Sequence, residues 1–216
     1  MIKVGVFDSG IGGLSVAKAI EKAMPDVIVQ FVNDHEHVPY GNKTNQQLLE
    51  FSLPILKTME QNGCDLIVIA CNTLTTTIIS QLRAALKVPL VAVEPMVKPA
   101  ATMTKTGVIA VCATPATLAS SRYAYLKQTF APAATIVEPD CSNWAELIEN
   151  NKLDRQQLAE TINQVLIQGA DVIVLGCTHY HWIEEDIRKI VDGQAQVIQP
   201  EQAIIKRLRQ EIKQLV

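Results

Sequence analysis

Two cysteines stand out by where they fall. Cys71 closes the run Cys64-Asp65-Leu66-Ile67-Val68-Ile69-Ala70-Cys71-Asn72-Thr73, and Cys177 closes Ala170-Asp171-Val172-Ile173-Val174-Leu175-Gly176-Cys177-Thr178-His179. Each run holds an acidic residue, an apolar strand, a small residue, a cysteine and a polar pair. The offset from 71 to 177 is 106 residues. A thiolate is a base and a thiol an acid, and helix amino ends or positive groups favour the thiolate. Two thiols at matched points of two related halves suit one reaction in particular. One takes a proton from one face of a carbon, and the other returns a proton to the opposite face. The centre inverts, and the roles swap when the reaction runs backwards.

Other residues supply what that chemistry needs. Asp8-Ser9-Gly10-Ile11-Gly12-Gly13 follows the first apolar run and opens a helical pattern. Its glycines permit a tight turn, and free amides at a helix start hold an anion such as a carboxylate. It is not a dinucleotide fingerprint, because the third glycine of G-x-G-x-x-G would fall at Ser15. Asp8 and His179 are placed to exchange protons with the thiols. Asn72, Thr73, Thr178 and His179 offer amide, hydroxyl and imidazole groups for carboxylate and ammonium recognition. Without a cofactor, the carbanion needs preorganised donors. Ser9 and Thr73 serve equally well as helix caps. Cys64, Cys112 and Cys141 read as buried small hydrophobes. Five cysteines with no C-x-x-C pair form neither a disulfide framework nor a zinc site. His35 and His37 read as solvated loop side chains, and no metal site is expected.

These groups must be held by a scaffold. Strands are expected at 2–7, 27–32, 66–70, 90–93, 107–111, 135–137, 172–175 and 196–198. Helices are expected at 13–23, 44–61, 74–85, 115–128, 143–150, 155–168, 183–191 and 201–213. Short apolar strands alternating with helices define an α/β protein with parallel sheets covered on both faces. Ligands then bind beyond the carboxyl ends of the strands, where both cysteines fall. A second, weaker echo relates Lys3-Val4-Gly5-Val6-Phe7 to Lys105-Thr106-Gly107-Val108-Ile109 at an offset of 102. Two similar offsets indicate two related halves, with a boundary in the proline- and small-residue-rich stretch 93–104. Aspartate followed by an apolar strand recurs in any α/β chain. The cysteine at the same place in both copies is what lifts the echo above chance.

Composition narrows the classes. The chain has 216 residues, 48% hydrophobic and 19% charged, with a net charge of −3. No basic stripe marks a nucleic-acid binder. The first residues lack the form of a secretory leader, and no run of about 18 apolar residues suits a membrane span. A cytoplasmic protein with free thiols is expected, acting on a small molecule with no nucleic-acid or membrane partner. An apolar patch on one domain face would make it a homodimer.

The combined motifs resemble the glutamate racemases of the aspartate/glutamate racemase superfamily. The match runs through Gly5-Val6-Phe7-Asp8-Ser9-Gly10-Ile11-Gly12-Gly13-Leu14-Ser15-Val16, Pro39-Tyr40-Gly41, Ala70-Cys71-Asn72-Thr73 and Gly176-Cys177-Thr178-His179-Tyr180, in the family's order. The resemblance implies two flavodoxin-like parallel-sheet domains related by a pseudo-two-fold axis, with the active site between them. Residues 1–94 with 199–216 would form the first domain, and 95–198 the second. It implies interconversion of L- and D-glutamate without pyridoxal phosphate, metal or nucleotide, with D-glutamate entering peptidoglycan synthesis. Cys71 and Cys177 would be the catalytic thiols, assisted by Asp8 and His179. Asp8-Ser9, Tyr40-Gly41, Asn72-Thr73 and Thr178-His179 would bind the substrate.

The chain departs from the family around these motifs. It is shorter than usual. Asp34-His35-Glu36-His37 stands where an aspartate followed by an Ala-Arg pair is common. Leu74-Thr75-Thr76-Thr77 replaces small residues, His181-Trp182 replaces Pro-Leu, and Gln199-Pro200-Glu201 replaces Asp-Ser-Gly. Glu149 aligns loosely with a family glutamate. The departures leave two alternatives open: a racemase of aspartate or a related amino acid, and a catalytically weak relative that binds an amino acid or a protein.

Overall fold

The computed structural model describes residues 1–215. The elements in chain order begin with β1 (Lys3–Asp8), α1 (Gly13–Ala23), β2 (Ile28–Asn33), a 3-10 turn (Tyr40–Asn42), α2 (Asn45–Gln61), β3 (Leu66–Ile69), α3 (Asn72–Thr77), α4 (Ile79–Ala85) and β4 (Leu90–Ala92). There follow α5 (Val97–Met103), β5 (Val108–Cys112), α6 (Pro115–Leu118), α7 (Ser121–Phe130), β6 (Thr135–Val137), α8 (Trp144–Glu149), α9 (Arg155–Ile167) and β7 (Val172–Leu175). The last are a 3-10 turn (Thr178–Ile183), α10 (Glu184–Val191), β8 (Gln196–Ile198) and α11 (Glu201–Leu215). The chain divides into two units, Met1–Glu94 with the chain from Pro200 on, and Pro95–Gln199.

In the first unit four parallel strands lie in the order β2-β1-β3-β4. Alternate residues of the central strands enter opposite layers, as the two-residue period of a strand requires. Val4, Val6, Leu66 and Val68 pack with Val16 and Ile20 of α1 and Ile204 and Leu208 of α11. Phe7, Ile67 and Ile69 pack with Leu48 and Leu56 of α2 and Leu82 of α4. Each such buried aliphatic side chain contributes about 1.5–3 kcal/mol relative to exposure. The two-faced burial explains why these strands read as unbroken apolar runs rather than alternating ones.

The second unit repeats the plan, with parallel strands in the order β6-β5-β7-β8. Ile109, Val111, Val172 and Val174 pack with Val97, Tyr123 and Leu126. Ala110, Cys112, Ile173 and Leu175 pack with Leu158, Ile162, Val165 and Ile187. Adding four to each strand number of the first sheet gives the second. The halves inferred from the cysteine echo are therefore topological repeats.

The register corrects the second echo. Val6 pairs with Val68, and Val111 pairs with Val174. With Val68 and Val174 equivalent at an offset of 106, Val6 is equivalent to Val111 at 105, not to Val108 at 102. The glycines misled the alignment. Gly5 lies inside β1, where a Cβ would stand 2.7 Å from Met59 Cε. Gly107 precedes β5 and has φ +77°, a left-handed conformation that suits glycine.

Helix continuity is corrected in three places. The helix expected at 74–85 begins earlier, at Asn72, and breaks at Ile78. Thr75, Thr76 and Thr77 hydrogen-bond back to the Asn72 and Thr73 carbonyls, which weakens a helix already poor in propensity. The helix expected at 115–128 is two, because Ser120 Oγ accepts the Tyr123 amide and starts α7 anew. The stretch 93–104, read as a boundary, contains α5; its Pro99 sits in the first turn, where the missing amide costs no helix bond. Among the described residues no helix is long and apolar enough to cross a membrane.

Candidate active site

In the first unit, β1 and β3 are neighbours, so their carboxyl ends leave the sheet side by side. The Ala70 amide still donates to the Phe7 carbonyl at 2.8 Å. Beyond that bond the chains release Asp8-Ser9 and Cys71-Asn72. Cys71 keeps an extended backbone and caps α3, as expected of a residue at a helix start. Its Sγ lies 3.5 Å from Ser9 Oγ. Asp8 is fully buried, and its Oδ2 accepts the amides of Gly10 at 3.3 Å and Gly13 at 2.9 Å. A Cβ on Gly13 would come 2.4 Å from Asp8 Cβ, so the close turn needs glycine there. Asp8 is held by the glycine turn at the amino end of α1.

Asn72 carries the clearest sign of a ligand. It is 3% exposed, and neither its Nδ2 nor its Oδ1 has a hydrogen-bond partner in the protein. A buried amide left so costs about 1–3 kcal/mol per unsatisfied group. Thr73 follows it and is also buried. The 3-10 turn Tyr40–Asn42 packs against α3 and brings Tyr40-Gly41 to this end of the sheet. The Tyr40 phenol, however, turns inward and donates to Asp34 Oδ2 at 2.6 Å. Burial, and then the bond to Asp34, holds that phenol well above the usual tyrosine range. Tyr40-Gly41 therefore offers backbone rather than a hydroxyl. His37 is not the solvated side chain expected: its Nδ1 lies 2.9 Å from both Asp34 oxygens, and its ring stacks on Phe51. His35 is exposed. Among the described residues no group of three or more His, Cys, Asp or Glu is arranged to hold a metal ion.

In the second unit, Cys177 follows β7 by the same construction. The Gly176 amide donates to the Cys112 carbonyl at 2.7 Å, and Cys177 caps the turn Thr178–Ile183. Cys177 Sγ lies 3.8 Å from His179 Nδ1, and His179 Nε2 lies 2.5 Å from Glu149 Oε2. Glu149, whose role the sequence left open, ends α8 against this turn. Tyr180 pins the turn: its hydroxyl donates to the Cys141 carbonyl at 2.9 Å, and its ring meets Trp144 edge-on at 5.3 Å. Thr178 is buried beside it.

The corrected register exposes two residues that the motif search missed. Asp8-Ser9 at the end of β1 is equivalent to Ala113-Thr114 after β5. Thr114 caps α6, and its hydroxyl donates to Thr117 Oγ1 at 3.0 Å, both residues buried. Aligning the halves at 105 instead of 102 would have found them. The second unit thus has no carboxylate in the place of Asp8 and brings Glu149 through His179 instead.

The other three thiols belong to cores. Burial pushes the Cys64 thiol up. A hydrogen bond with Cys112, and then burial, pushes Cys141 up.

The sequence profile of the Asp/Glu/hydantoin racemase family matches residues 11–208. The chain is 38% identical over 210 residues to the glutamate racemase of Pseudomonas aeruginosa, covering 95% of this chain and 79% of that one. Its fold superimposes on Escherichia coli glutamate racemase, solved with L-glutamate and the activator UDP-MurNAc-ala, with a TM-score of 0.89 at 30% identity, covering 96% of this chain and 81% of that one. The Francisella tularensis glutamate racemase in complex with D-glutamate gives 0.80 at 26% identity, covering 99% and 81%. Twin α/β units and these relatives define an isomerase, an amino-acid racemase. The chain belongs to the Asp/Glu/hydantoin racemase family.

Proposed function

We propose that the protein interconverts L- and D-glutamate, with Cys71 and Cys177 as the two proton-transfer groups. The observation that carries this is the placement of a cysteine at the same topological point of both units, two residues past the end of β3 and of β7. Glutamate is favoured over other amino acids by the curated glutamate racemases, 36% and 38% identical along most of the chain.

In one direction the thiolate of one cysteine removes the α-proton and becomes a thiol. The other thiol delivers its proton to the opposite face and becomes a thiolate. The substrate ends inverted and the proton count is unchanged. The first cysteine, now a thiol, then loses its proton and the second, now a thiolate, gains one, which restores the starting state; the reverse reaction exchanges the roles. Asp8 with Ser9 serves Cys71, and His179 backed by Glu149 serves Cys177. Negative charge spreads from the α-carbon onto the substrate carboxylate in the transition state, and donors aimed there lower the barrier. The Asn72 amide, Thr73, Thr178, the Thr114–Thr117 pair and the backbone of Tyr40-Gly41 are the donors assigned to the substrate. No cofactor is assigned. The D-glutamate would serve peptidoglycan synthesis in the cytoplasm.

The test is turnover by purified protein, followed by chiral chromatography from either enantiomer. D-glutamate formation from L-glutamate, much faster than D-aspartate from L-aspartate, is expected. A clear aspartate preference would reject glutamate as the substrate, and no turnover of either would reject the function.

A further inference from the structure

Asp34 joins separate parts of the first unit. It follows β2 directly, and its amide donates to the Asp8 carbonyl at 3.1 Å. Its side chain is buried. One carboxylate receives the Tyr40 hydroxyl at 2.6 Å and faces His37 Nδ1 at 2.9 Å from each oxygen. The His37 ring lies on Phe51 of α2, with centroids 3.8 Å apart and planes 12° apart. The end of β1 and the loop before Tyr40 therefore meet at Asp34, and the His37 ring links that carboxylate to α2. Hydrogen bonds to a carboxylate are shorter and stronger than neutral ones, so this junction resists displacement. The turn Tyr40–Asn42 starts at one of its donors. The first amides of so short a turn have no acceptor within it.

We infer that Asp34 and His37 are positioning residues, which hold the Tyr40–Asn42 turn so that its amides meet a substrate carboxylate. The inference rests on the racemisation proposed above and extends it to residues that touch no substrate. The Tyr40 ring is spent on the core and its hydroxyl on Asp34, which leaves the turn's backbone to face the ligand. His37 fixes the carboxylate from the other side. With that donor gone, Asp34 keeps one side-chain partner and the turn gains freedom to shift.

Two substitutions at His37 separate the hydrogen bond from the stack. H37F keeps a ring for Phe51 and loses the donor. H37N keeps a donor at the place of Nδ1 and loses the ring. Steady-state racemisation of L-glutamate and amide hydrogen exchange of the substrate-free protein are measured for both. H37F should raise KM about tenfold with kcat within about twofold, and speed exchange at Gly41 and Asn42 about tenfold. H37N should restore both to within about threefold of wild type. Unchanged exchange in H37F overturns the anchor. Faster exchange with unchanged KM overturns its link to the substrate. Equal defects in the two variants assign the effect to the stack and overturn the role of Asp34. The exchange measurement needs no turnover, so a wild-type protein inert toward glutamate would reject the proposed substrate while the anchor is still judged by exchange.

Discussion

His179 Nε2 lies 2.5 Å from Glu149 Oε2, while Nδ1 of the same ring lies 3.8 Å from Cys177 Sγ. A thiol, an imidazole and a carboxylate thus form one chain in the second unit. In the first unit Thr73 stands at the place of His179. There Asp8 is held by the Gly10 and Gly13 amides, and Cys71 lies beside Ser9. Two topologically equal units therefore surround their thiols with different neighbours.

Glu149→Gln tests the longer chain. Glutamine keeps the length and removes the charge that orients and supports the imidazole. We expect kcat to fall about 10- to 100-fold with little change in KM. Because the equilibrium constant between enantiomers is one, kcat/KM must fall equally in both directions. Assays from each enantiomer check this, and wild-type kcat in the variant would remove Glu149 from proton transfer.

Much of this was legible in the residues, and the failures have physical causes. Buried parallel strands carry a strong apolar signal, so 135–137, 172–175 and 196–198 were placed to the residue. Cys71 and Cys177 were separable from the other thiols because a strand end is fixed by the same signal. Helix breaks were not legible, since a threonine's choice between capping, back-bonding and facing solvent depends on its surroundings. Thr75–Thr77 and Ser120 chose the backbone. His37 misled for a similar reason: nothing local shows that Phe51, fourteen positions on, lies under its ring. Thr114 and Thr117 stayed hidden because Gly5 and Gly107, similar in sequence, do different work.

Asn72→Leu should separate binding from stability. Leucine keeps the branching and heavy-atom count of asparagine, though it is bulkier, and removes two buried polar atoms that lack protein partners. We expect the substrate-free variant to be at least as stable as wild type in urea unfolding. KM for glutamate should rise at least about tenfold, the loss of one good hydrogen bond. A destabilised variant with normal KM would show that the amide serves the fold.

Gly13→Ala places a methyl 2.4 Å from Asp8 Cβ, so close that the turn or Asp8 must shift. A loss of about 1–3 kcal/mol in stability is expected from overpacking, together with lower turnover as Asp8 shifts. Thermal melting and an activity assay check both, and a neutral substitution would refute the close packing of this turn.

Asp171 provides a stability effect with a defined pH range. Burial opposes its charge, but Thr104 Oγ1 at 2.5 Å and the Lys105 and Thr106 amides at 2.6 and 3.0 Å outweigh it. They hold the carboxyl below the usual range. A lowered folded pKa means that this stabilisation is complete above the unfolded value, about 3.9, and is lost as pH falls through the folded one. Asp171→Asn should cost about 1–2 kcal/mol near pH 7, a figure limited by partial solvent access. The gap between variant and wild type should narrow below about pH 4. Urea unfolding at several pH values reads it, and a gap independent of pH would contradict the assignment.

The central claim is that two thiols share one inversion. Racemisation of L-glutamate in deuterium oxide by wild type, Cys71→Ala and Cys177→Ala tests it most directly, with D-glutamate and α-deuterium followed together. Wild type should place solvent deuterium on the α-carbon as D-glutamate forms, and each variant should lose racemisation by at least about 100- to 10,000-fold while remaining folded. Near wild-type racemisation by either variant would contradict the two-thiol mechanism.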